Sequence, residues 1–154
     1  MDMPDSAIPQ AGVIPFRVSA GGEVEILLIR RVEKKKWNIP KGMLGGKTAV
    51  EAAQHEAIEE AGAAGELSPQ MIGTYTYEKH ASVRDVKVFL LRVIQTFDEY
   101  PEMTVRVRQW FPLEEAASLV KLPAVAGLIR SVPQYIRVGP SGRVAFVPIA
   151  SRRP

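Results

Sequence analysis

Three carboxylates, Glu56, Glu59 and Glu60, stand at i, i+3 and i+4 within Gln54-His55-Glu56-Ala57-Ile58-Glu59-Glu60-Ala61-Gly62. On a helix turning ~100° per residue they form one stripe roughly 100° wide. A second stripe of Val50, Ala53, Ala57 and Ala61 adjoins it, and Glu60 projects only about 20° from Ala53. A carboxylate so near an apolar face is costly unless it is paired or coordinated. Like charges at this spacing also repel one another. An all-oxygen set suits a hard divalent cation, and magnesium usually combines a few carboxylates with water and substrate phosphates. Two readings stand open on spacing alone: a Mg²⁺ or Mn²⁺ site, or a solvated acidic helix face.

The segment before the helix adds to the first reading. Trp37-Asn38-Ile39-Pro40 leads into Lys41-Gly42-Met43-Leu44-Gly45-Gly46-Lys47. Backbone N–H groups of such a loop, with Lys41, could meet phosphate oxygens. A Gly-rich loop alone is a weak signal. Loop, helix start and carboxylate stripe in this order are a stronger one.

These side chains need a frame. The alanine- and glutamate-rich stretch 48–61 predicts a helix, opened by a capping box of Thr48 and Glu51 and closed at Gly62. Residues 12–18 and 24–29 read as strands joined by a Gly-containing turn. Residues 71–77, 86–94 and 105–111 read as three more, the second apolar enough to be central. Helices are expected at 113–120 and 124–136, the latter broken or bent near Pro133. Strands mixed with three helices imply one α/β or α+β domain, as 154 residues do. Residues 1–10 read as an N-terminal extension, 11–136 as the domain and 137–154 as a C-terminal extension with room for a short strand.

Residues 42–63 resemble the Nudix box, whose pattern is Gly, five residues, Glu, seven residues, then Arg-Glu-apolar-any-Glu-Glu-any-Gly-apolar. Glu56, Ala57, Glu59, Glu60, Gly62 and Ala63 meet its second half. Residues 37–42 and 86–93 are similar to segments of the family, as are Gln109-Trp110-Phe111 and the following Leu113-Glu114-Glu115-Ala116-Ala117. The likeness spans roughly residues 10–130. Three departures stand out: the loop is one residue short, Lys47 replaces the first glutamate, and His55 replaces the arginine. Those two side chains mainly brace the loop and orient the carboxylates, so the departures bear on geometry more than on metal binding.

The resemblance implies an α/β fold, an α/β/α sandwich with a mixed sheet between helices. It implies a divalent-metal-dependent pyrophosphohydrolase, with Mg²⁺ or Mn²⁺ held by Glu56, Glu59 and Glu60, of which Glu56 and Glu59 would be catalytic. Lys41, Gly42 and Arg30 would hold phosphate. The general base would be Glu56 or a carboxylate of the 98–102 loop. The substrate would be a small-molecule nucleoside or inositol polyphosphate of the diadenosine or diphosphoinositol type. The alternatives are a nucleoside triphosphate pool-cleansing hydrolase and a catalytically weak domain that senses nucleotide or polyphosphate.

Other residues have bland readings beside functional ones. His80 fits an exposed loop, Trp37 the core, and Lys34-Lys35-Lys36 a solvated turn. Arg84, Arg106 and Arg108 could rim a polyanion site, and strand alternation sends Arg106 and Arg108 to one face. Twenty Lys and Arg against seventeen Asp and Glu leave a net charge of +3, too small to argue for a nucleic-acid polymer or a membrane. The absence of cysteine excludes disulfides, thiolate metal sites and a cysteine nucleophile. Residues 1–10 resemble neither a signal nor a transit peptide, which points to the cytoplasm. A monomer or a homodimer is expected.

Overall fold

The computed structural model describes residues 6–148. The remainder of both terminal extensions, 1–5 and 149–154, lies outside the described residues. Two long strands form the spine. β1 (Ile8–Val18) runs parallel to β6 (Ser82–Thr96), and both are apolar enough to be buried on two faces. β6 is long enough to pair twice along its far edge, with β5 (Gly73–Lys79) and then with β4 (Ala63–Leu67). β1 is shared in the same way. Its first half takes β3 (Lys41–Met43) and its end takes β2 (Val24–Arg31), which pairs in turn with β7 (Arg106–Pro112). The sheet is mixed, with β1 and β6 as its parallel pair.

α1 (Ala49–Ala61) covers one face, packing Ala52, Ala53, Ala57 and Ala61 on Ala11, Val13, Leu27, Ile29, Phe89 and Leu91. α2 (Leu113–Leu119) and α3 (Pro123–Arg130) cover the other, over Ile14, Phe16, Ile26, Leu28, Val88 and Leu90. Period-two alternation along β1 and β2 accounts for this division between two cores. The α/β/α sandwich is thus present. No helix among the described residues is long and apolar enough to cross a membrane.

Several elements differ from expectation. β1 begins at Ile8, because parallel pairing with β6 already starts at Ile8–Arg84. Residues 41–43, read as loop, form β3, and 63–67 form β4 directly after the helix. The break expected near Pro133 falls at Ser131, where α3 gives way to a 3₁₀ turn at Val132–Tyr135. The tail forms a hairpin, β8 (Ile136–Val138) with β9 (Val144–Phe146), whose Phe146 meets the edge of Phe16 at 6.1 Å.

The capping box is complete. Glu51 N–H donates to the Thr48 hydroxyl at 3.1 Å, and Thr48 N–H donates to the Glu51 carboxylate at 2.9 Å. Replacing Thr48 by alanine should cost about 1 kcal/mol. Thermal melting should show it as a fall of about 2–4 °C, and an unchanged midpoint would mean the cap contributes nothing.

Candidate functional site

α1 ends at Gly62, whose φ of 59° is left-handed and whose N–H reaches the carbonyls of Ala57 and Ile58. A side chain there would also run into the Tyr100 ring and the Arg108 guanidinium. Arg108 Nη1 donates to the carbonyls of Ala61 and Gly62 at 2.9 and 3.2 Å, and stacks over Tyr100. The helix C-terminus thereby gains a cation where its dipole favours one. The 97–105 segment is drawn in with it: Phe97 N–H donates to Gly62 O, and Glu102 N–H donates to Glu59 O at 3.0 Å. These bonds bring Glu102 to the carboxylate stripe.

Glu60 lies at the centre, with its side chain 9% exposed. One oxygen accepts the Lys41 backbone N–H at 3.0 Å, and the other accepts Arg106 Nη2 at 2.9 Å. Arg106 Nε donates to Glu102 as well, so one guanidinium bridges two carboxylates. Burial pushes the Glu60 carboxyl up to about 7; Arg106 and the Lys41 N–H pull the other way, while Glu56 and Glu102 add to the rise.

Glu56, one turn earlier, lies against Gly42. A Cβ on Gly42 would fall 2.5–2.7 Å from its carboxylate atoms, so only glycine leaves room for it. Partial burial raises the Glu56 carboxyl, with Glu59 and Glu102 adding to the effect and His55 and Arg106 opposing it. Glu59 sits further out, 3.6 Å from His55 Nε2.

The predicted phosphate ligands divide across the sheet. Gly42 faces α1, so its neighbour Lys41 faces away, with Nζ 4.8 Å from the Tyr77 ring. Only the Lys41 backbone reaches the carboxylates. Arg30 is not brought to them either. It follows Leu28 onto the face opposite α1, stacks 5.2 Å from Trp37 and donates to the carbonyls of Arg31, Val32 and Lys34. Trp37 packs edge-on against Phe111, and His80 sits with positive φ in the exposed β5–β6 turn.

Sequence reasoning left Arg106 undecided; the α1 face to which alternation sends it carries the site. It missed Tyr75, and it offered Arg84 only as a rim residue beside Arg106 and Arg108. The Tyr75 hydroxyl and Arg84 Nε are buried without a hydrogen-bond partner, on the Tyr77 side of the sheet.

Glu56, Glu60 and Glu102 offer only oxygen, the donor set of a hard cation. Glu60 is a buried carboxylate already supplied with a positive partner. The residues fit a divalent ion by chemistry. In the present geometry, no three acidic or histidine side chains among the described residues are grouped closely enough to hold one, and Arg106 pairs with both Glu60 and Glu102.

The NUDIX domain family model matches residues 8–135. Nudix hydrolase 21, chloroplastic, of Arabidopsis thaliana is 39% identical over 114 residues, which are 70% of this chain and 57% of that protein. Nudix hydrolase 4 of the same plant is 36% identical over 118 residues, 68% of this chain and 55% of that one. The chain thus spans little more than half the length of these relatives. A C. elegans Ap4A hydrolase crystal structure superposes with a TM-score of 0.67 at 24% identity, covering 82% of this chain and 96% of that one, which shows a shared fold. Since the match runs from the first strand to beyond the last helix and includes the glutamate stripe of α1, the chain belongs to the Nudix family.

Proposed function

We propose that this Nudix domain hydrolyses a phosphoanhydride bond in a nucleoside or inositol polyphosphate, using a divalent ion held by Glu56 and Glu60 with Glu59 at the rim. The observation that carries this reading is Glu60, a buried carboxylate one helical turn from Glu56, whose own carboxylate lies against Gly42. Bound there, Mg²⁺ or Mn²⁺ would neutralise phosphate oxygens and make water more acidic. Glu56 suits the general base: its carboxylate makes no hydrogen bond or ion pair to any described residue, and its raised pKa strengthens it as a proton acceptor. Glu102 is the weaker candidate because Arg106 holds it. His55 beside Glu59 takes the orienting place that arginine has in the family box.

The polyphosphate class is supported on the other face of β3. Lys41 sets its ammonium there, 4.8 Å from the Tyr77 ring, as a cation for a phosphate. An Ap4A hydrolase among the structures sharing the fold agrees with that class. The second reading, a domain that binds polyphosphate without turning it over, draws on Lys47 and His55.

The test is phosphate or nucleotide release from diadenosine polyphosphates, diphosphoinositol polyphosphates, ADP-ribose and nucleoside triphosphates. Each is offered with Mg²⁺, with Mn²⁺ and with chelator. Turnover of a polyphosphate that chelator abolishes and metal restores is the expected result. Cleavage of ADP-ribose alone would sink the substrate class. Metal-dependent binding with no turnover would favour the sensor.

A further inference from the structure

Arg106 has a position that a brace does not need. Its neighbour on the same strand face, Arg108, shows what a brace looks like: it donates to two main-chain carbonyls at the helix end and stacks on Tyr100. Arg106 instead spends its guanidinium on two carboxylates from different elements, Glu60 of α1 and Glu102 of the 97–105 segment. Its side chain is 18% exposed, so the charge is neither solvated nor free. Glu60 needs that charge, because an unpaired buried carboxylate is costly.

The same charge is an obstacle once an ion arrives. A divalent cation on Glu56 and Glu60 would share the Glu60 carboxylate with a guanidinium, and like charges a few ångströms apart in a half-buried cleft repel strongly. Arg106 also acts on Glu56 from its present place. Its side chain can leave: it is long, and the strand beneath it is fixed by the Arg106–Arg31 register.

We propose that Arg106 is an exchangeable counter-cation, which neutralises Glu60 and Glu102 in the metal-free protein and gives up both when a divalent ion binds. Arg106 is a positioning residue in this scheme. It bridges Glu60 and Glu102 while no ion is bound, and its departure frees Glu102 to turn toward Glu56 and Glu60. The inference rests on the reading that these carboxylates take a divalent ion.

The test follows the Arg106 Nε–H resonance by proton–nitrogen NMR of the wild-type protein during titration with Mg²⁺ alone. Loss of one arginine Nε–H peak in Arg106→Gln assigns it. The peak should start at the shift of a charge-assisted hydrogen bond and move, saturably, toward that of a solvated arginine. Its half-saturation should match that of the Glu56 and Glu60 backbone amides, while the Arg108 side chain stays unmoved. Mg²⁺ shifts of those amides with a stationary Arg106 peak would overturn the exchange and leave the metal site standing. No saturable shift anywhere would overturn both. Calorimetry with Mn²⁺ gives a second readout: Arg106→Gln should bind the ion about tenfold more tightly. Weaker binding by a folded Arg106→Gln would mean that Arg106 builds the site instead of competing for it.

Discussion

Replacing Glu60 by glutamine should cost at least about three orders of magnitude in turnover, the scale of losing several kcal/mol of charge stabilisation. The same change should flatten the fall of stability with rising pH in the metal-free protein. The folded Glu60 carboxyl is raised from 4.5 to about 7. Between those values the unfolded chain has already ionised this group while the folded chain still holds its proton. The folded state therefore binds more protons, and stability falls as pH rises. Stability from this group is fully present below about pH 4.5 and is lost through about pH 7, a difference of about 3 kcal/mol. Glutamine keeps the acceptor for the Lys41 N–H and has no proton to lose. Thermal melts in chelator from pH 5 to 8 should show a decline in the wild type and a much shallower one in Glu60→Gln. Glu56, raised in the same direction, supplies the remaining slope. Parallel declines would show that Glu60 titrates normally, and the charge argument for the ion site would go with them.

Gly42→Ala should lower kcat about a hundredfold, the usual penalty for displacing a catalytic group by about 1 Å. The added Cβ would lie 2.5 Å from the Glu56 carboxyl carbon. What it meets is the far end of a flexible side chain, so Glu56 moves and the strand does not. Replacing glycine also reduces the freedom of the unfolded chain, which offsets part of any strain. The melting midpoint should stay within a few degrees of wild type while activity falls. A collapse of both together would mean that residue 42 holds the fold and not the carboxylate.

What could be read from the chain beforehand was what is local. Thr48, Glu51 and Gly62 fix both ends of α1 within a 15-residue stretch, and the alanine stripe fixes which side is buried. The glutamate stripe followed from the same geometry, and the motif around it carried the family resemblance. What could not be read was what arrives from afar. Arg106 is 46 residues from Glu60, and only the register of β2 on β7 shows that its face is the α1 face. Lys41 and Arg30 were the natural phosphate ligands by charge and neighbourhood. β3, at three residues, is too short to announce its alternation, so the side taken by Lys41 was not legible. Arg30 hinged on the same one-residue parity, with Leu28 deciding it. The Tyr75 hydroxyl gave no signal, since a tyrosine alternating with threonines along a strand looks like core.

Lys41 straddles the sheet, its amide on Glu60 and its ammonium beside Tyr77 on the far side. Every residue except proline carries that amide. Descendants of this chain can therefore exchange the side chain at position 41, and with it the charge set on the far side of the sheet, without disturbing how Glu60 is held. Selection on that distal charge and selection on the buried carboxylate act on different atoms of one residue, so a single substitution can change the first and leave the second in place.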